Sequence, residues 1–202
     1  MSKKFITVIA EQINFESRIY DCGDDKRLEY NRKTHYPIAN VIYNAVEDGE
    51  TIEVVAVKKD GITSDKNLDI LKSDLDCIEK EKNIQIKYSI ITRPKKETKR
   101  SHIEYFYQLI NEIKDNDLIY ADITYGTKPG PFILFAALNY ANRLKKNVGI
   151  ESIVYGGIDW DTKHSYIYDV TQLFYMNSIV ETIAAEGVEE AEKVVETLFK
   201  MM

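Results

Sequence analysis

Apolar runs of strand length alternate five times with stretches of helical period along this chain, and that rhythm leaves few folds open. The runs fall at 5–10, 51–57, 84–91, 118–124 and 149–155. Helical stretches lie at 38–45, 65–82, 102–113 and 131–144, the second carrying Leu68, Leu71, Leu75 and Ile78 on one side. Thr34 reads as the N-cap of the first helix, with Pro37 in its first turn. This order predicts an α/β fold: a Rossmann-like, open, mostly parallel sheet with helices on both faces. Gly156-Gly157 and a turn at 159–165 precede Tyr166-Ile167-Tyr168, which predicts a hairpin and hence an antiparallel strand near the end.

From Thr171 the chain reads as helical, at 172–185 and 188–200 with Gly187 between. The expected division is a Rossmann-like domain at 1–170 and C-terminal helices at 171–202. The apolar faces of those helices either complete the core, or meet a second subunit, or lead into a further domain. The polar segment 11–33 is long for a loop and is a place for function or partial disorder.

Bulk properties narrow the partners. A chain of 202 residues, 44% hydrophobic and 30% charged, suits one soluble domain. Its net charge of −6 argues against a groove for duplex DNA, while a local basic pocket for a small anion remains open. Cys22 and Cys77 read as free thiols of a reducing cytosol. No apolar run reaches membrane-spanning length, and 5–10 is too short for a signal-peptide core despite Lys3 and Lys4 before it. The expectation is a cytoplasmic protein off the membrane.

The richest motif is Asp122-Ile123-Thr124-Tyr125-Gly126-Thr127-Lys128-Pro129, a strand-to-helix turn. In open α/β sheets such turns sit at strand carboxyl ends, where ligands bind. Gly126 permits a tight turn, the following helix offers N–H groups and a positive dipole end, and Thr124, Thr127 and Lys128 add donors. A phosphate site and an ordinary connecting turn both accommodate these residues. Neither a P-loop nor the dinucleotide Gly-x-Gly-x-x-Gly occurs.

This motif resembles the Asp-Ile-Thr-x-Gly-x-[Arg/Lys]-x-x-Pro type of CARF domains, the Rossmann-fold sensors of type III CRISPR systems, with Lys128 where Arg is common. Residues 132–143 are similar to the helix that follows it there. Ile153-Val154-Tyr155-Gly156-Gly157 resembles the family's next strand, and Asp169-Val170-Thr171-Gln172-Leu173 its entry into the closing helices. The resemblance implies a homodimer that binds a cyclic oligoadenylate of four or six adenosines across its interface, with no metal or other cofactor. It also implies an effector domain or partner chain.

On that basis Thr124, Gly126, Thr127 and Lys128 are expected to contact phosphate, and Tyr125 and Tyr155 to flank bases. Glu11 and Gln12 after the first strand face the same crevice, Gln12 with an amide suited to adenine. Thr92 and Arg93 end the third strand on that side. The run Arg93-Pro94-Lys95-Lys96-Glu97-Thr98-Lys99-Arg100 is either a lid or a solvated basic loop. Some stand-alone relatives cleave the ring without metal; here Lys128 and Thr127 would stabilise the charge on phosphorus. A Rossmann-type mononucleotide binder is a further alternative. His35, His102 and His164 have no metal-ligand spacing, and the carboxylates of Asp159 and Asp161 fall on a turn that favours Asp for its own hydrogen bonds.

Overall fold

The computed structural model of the protein describes residues 1–14 and 16–201. Strands β1 (Ser2–Val8), β2 (Thr51–Lys59), β3 (Gln85–Arg93), β4 (Asp117–Asp122), β5 (Gly149–Ile158) and β6 (Ser165–Asp169) form one sheet. Its order is β3-β2-β1-β4-β5-β6. All neighbours run parallel except β5 and β6, which form the expected hairpin. The helices are α1 (Ile38–Ala45), α2 (Ile62–Glu81), α3 (Lys99–Glu112), α4 (Pro129–Leu144), α5 (Thr171–Ala185) and α6 (Ala191–Met201). None among the described residues is long and apolar enough to cross a membrane.

Near-continuous apolar strands arise because both sheet faces are covered. Successive side chains point to opposite faces. Phe5, Val54, Ala56 and Val154 therefore join a core with Ile38, Ile42, Leu71 and Leu75 of α1 and α2. Their neighbours Ile6, Val55, Val57 and Ile153 join a second core with Leu109, Leu134, Leu138 and Phe174 of α3, α4 and α5. Connections from β1 build outward through β2 to β3, then return across β1 to β4. The strand order thus reverses between β1 and β4, the place where such sheets open a crevice at their carboxyl ends.

Local boundaries depart from expectation where polar residues are recruited. β1 begins at Ser2 because pairing with β4 starts at Ser2 opposite Asp117. Lys4 is buried in that strand, its ammonium 3.0 Å from Asp117 and 3.1 Å from Glu53, and it donates to the Glu112 carbonyl. Thr34 is not the N-cap of α1. Its hydroxyl donates to Asp74 (2.8 Å), and its backbone pairs with Arg18. Pro37 adopts helical angles at the start of α1 instead. β3 runs on to Arg93, and Thr98 caps α3 through a reciprocal pair of bonds with Ser101. Asp21 of the polar segment pairs with the outer edge of β6, exchanging backbone bonds with Ser165 and Ile167 (2.9 Å each) and shielding part of the free edge.

Removing Lys4 would strand the buried Asp117 carboxylate. Lys4→Ala is expected to lower unfolding free energy by about 3–5 kcal/mol, measured by urea titration. A loss below about 1 kcal/mol, the value of an exposed pair, would contradict this assignment.

Candidate functional site

Asp122, the last residue of β4, is buried and organises the bend that follows. One carboxylate oxygen accepts from the Thr124 amide (2.9 Å) and the other from the Thr7 hydroxyl of β1 (3.2 Å). Burial pushes this carboxyl above its ordinary range, against the lowering effect of its bonds to Thr124 and Thr7. The Thr124 hydroxyl in turn accepts from the Gly156 amide of β5 (2.8 Å). The bend is therefore tied to both strands that flank β4.

Gly126 follows with φ +106°, and a Cβ built there would lie 2.9 Å from Cγ1 of Val8. Both the angle and the space exclude a side chain. The helix start is not the source of anion donors that the motif suggests. Pro129 and Pro131 have no N–H, and the Gly130 N–H bonds back to the Thr127 carbonyl (2.8 Å), so the first turn of α4 offers little. The donors lie one step earlier. The N–H groups of Gly126, Thr127 and Lys128 make no hydrogen bond among the described residues. Successive free amides of this kind form a concave anion seat. The Lys128 side chain is exposed beside them and forms no ion pair among the described residues.

The charged residues expected here divide. Arg93 is buried, lies over the Tyr105 ring (5.3 Å to its centroid), and pairs with Glu11 (3.3 Å) and Glu97 (3.0 Å). Glu11 also pairs with Lys59 (3.0 Å). Glu97 accepts from the Thr127 hydroxyl (2.6 Å) and lies 3.3 Å from His102. The Thr127 bond, then His102 and Arg93, hold its carboxyl below the usual range despite partial burial. Arg93 and Thr127 are thus already matched by carboxylates. The basic run is drawn onto the bend by its one acid, while Lys95, Lys96, Lys99 and Arg100 face solvent. Thr92 does not join the cluster: strand alternation turns it to solvent while Arg93 turns inward.

Beside the bend opens a crevice of about 750 Å³ whose walls include Gln12, Thr124, Tyr125 and Tyr155 from the expected set. Asn67 of α2 fixes one wall by donating to the carbonyls of Ala10 (2.7 Å) and Gln12 (2.9 Å). Tyr125 touches both cores, donates its hydroxyl to the His35 carbonyl (2.8 Å) and meets Tyr36 edge-on, so its ring forms a fixed wall. Tyr155 leans against Tyr168 (5.6 Å between centroids). Arg18, Trp160, Lys163 and Tyr166 also line the crevice, and sequence reasoning missed them as site residues. The aromatic-rich hairpin at 155–168 is the signal that points to them.

No family model matches this chain. It is similar to CRISPR-associated protein MJ1674 from Methanocaldococcus jannaschii, 30% identical over 153 residues. The match covers 65% of this chain and 23% of that protein, so the chain spans about a quarter of its relative's length.

Gly126→Ala adds a Cβ into Val8 at a left-handed backbone angle. It should cost about 1–3 kcal/mol in chemical unfolding, and an unchanged midpoint would show the bend to be an ordinary turn.

Proposed function

We propose that this chain is a CRISPR-associated sensor domain of the CARF type that binds a cyclic oligoadenylate across a homodimer. Phosphodiesters sit at the 126–128 amides and Lys128, and adenines enter the crevice walled by Gln12, Tyr125 and Tyr155. Each linkage carries one negative charge, and amides and an ammonium are the groups that recognise it. Similarity to a CRISPR-associated protein supports the biological setting.

One observation carries the dimeric form of this reading. The donor-bearing bend borders an apolar surface that the chain leaves uncovered. Phe132, one turn into α4, is 79% exposed, and Leu173 at the start of α5 is 61% exposed. Between them lies a hollow of about 250 Å³ lined also by Ile123, Phe135 and Leu138. An apolar patch of this kind on a small domain marks a contact surface. A two-fold axis passing there brings two bends toward each other, and a symmetric ring then meets every donor twice.

Titration calorimetry with cyclic tetra-adenylate and cyclic hexa-adenylate tests the reading. Wild-type protein should bind one of them. Lys128→Ala should weaken it by about 1.5–3 kcal/mol for each charged hydrogen bond removed, roughly tenfold or more. Absence of binding to both rings would refute it. A second reading, cleavage of the ring, draws support from the same free amides and Lys128: they would stabilise charge on phosphorus while a ribose 2′-hydroxyl attacks it and expels the 5′-oxygen of the next nucleotide, which takes up a proton, leaving a 2′,3′-cyclic phosphate. Linear products recovered after the titration in EDTA would select it.

A further inference from the structure

We infer that the tip of the β5–β6 hairpin is a clamp for one nucleotide, with Trp160 stacking on the base and Lys163 pairing with its phosphate. This assignment rests on the nucleotide-binding reading above and adds residues that the motif at 122–129 does not contain. The last parallel partner of β5 is Val154, opposite Asp122, yet β5 continues to Ile158. Those four further residues carry the hairpin roughly 13 Å past the end of β4, over the crevice.

The tip is rigid. Asp159 accepts from the amides of Asp161 (2.9 Å) and Thr162 (3.2 Å), and its own amide donates to the His164 carbonyl (2.8 Å). On this fixed turn Trp160, the sole tryptophan, lines the crevice while remaining 69% exposed. A large flat ring held in water by its own turn is not there for packing. The Lys163 ammonium rests 5.1 Å from the centre of that ring and has no carboxylate partner among the described residues. Arg18 across the crevice, by contrast, is paired with Glu16 (3.1 Å). Lys163 is therefore the crevice cation available to an anion.

Gly156 and Gly157 line the crevice between these walls. A Cβ at Gly156 would fall 2.4 Å from Pro37, and one at Gly157 2.4 Å from the Tyr166 ring. Those spaces are already filled by Pro37 and by the Tyr166 ring, so glycine at both positions lets these side chains pack directly on the hairpin backbone and fix the crevice wall. A base stacked on an aromatic ring is held more strongly than an exposed ammonium above one. A nucleotide therefore displaces Lys163 from the Trp160 face and supplies the phosphate that the displaced ammonium then meets.

The lone tryptophan makes the test direct. AMP and cyclic tetra-adenylate should quench its emission saturably, and ribose 5-phosphate should not. In calorimetry Trp160→Ala should weaken cyclic tetra-adenylate about tenfold or more, while Trp160→Phe, which keeps a stacking face, stays near wild type. Ring binding with unchanged emission and unchanged affinity in Trp160→Ala would overturn the clamp and leave the sensor reading standing. Saturable quenching of the wild-type protein by AMP, with AMP binding in calorimetry lost in Trp160→Ala and neither ring bound, would support the clamp and overturn the ring. No response to AMP, cyclic tetra-adenylate or cyclic hexa-adenylate would overturn both.

Discussion

One buried carboxylate holds the site together. Asp122 ends β4 within the core, and its bonds to Thr7 and to the Thr124 amide fix the bend against β1. Thr124 carries the same constraint to β5 through the Gly156 amide. Val8 closes on Gly126 from below, so the chain has one way to leave the sheet here. Free amides at 126–128, the wall formed by Tyr125 and the placement of Gly156 all follow from that anchoring. A buried group held away from its preferred ionisation is unfavourable on its own. Here its bonds shape the turn at the point where the strand order reverses.

The charge around the bend is mostly paired, not broadly basic. The chain carries −6 overall, and the most buried cation near the bend, Arg93, is matched by Glu11 and Glu97. What remains for a ligand is a row of amides, Lys128 on the rim and Lys163 across the crevice. Such an arrangement favours a small anion with flat faces over a long polyanion, whose affinity would come from many surface cations. The paired carboxylates also hold Arg93 and Glu97 against the bend.

The architecture was legible because apolar runs and helical spacing are set by the need to cover a sheet on both faces. The hairpin was legible from its glycines and alternating aromatics. Errors came where one polar residue has two readings. Thr34 looks like a cap, but its hydroxyl serves Asp74, and Pro37 begins the helix. Lys4 lies before the apolar run at 5–10, but pairing of β1 with β4 draws it into the strand and buries it against Asp117. Thr92 and Arg93 are adjacent in sequence, and strand alternation separates them. The crevice walls at Arg18 and Trp160 come from segments that meet only in three dimensions, through the pairing of Asp21 with β6. No local pattern encodes that meeting.

The C-terminal helices divide between the roles the sequence left open. Phe174 of α5 is fully buried and packs edge-on against Phe135 of α4, so this helix completes the core. In α6 no residue from 191 to 200 is buried. Val194 and Leu198 of α6 stay partly exposed, as do Phe132 and Leu173 near the bend, and on the proposed reading these are the surfaces a second copy would cover. The central claim is that two bends share one ring, and native mass spectrometry of the protein with cyclic tetra-adenylate and cyclic hexa-adenylate measures it directly. A dimer carrying a single ring is the species expected. A monomer with its own ligand, or a dimer holding one ring per chain, would contradict the claim.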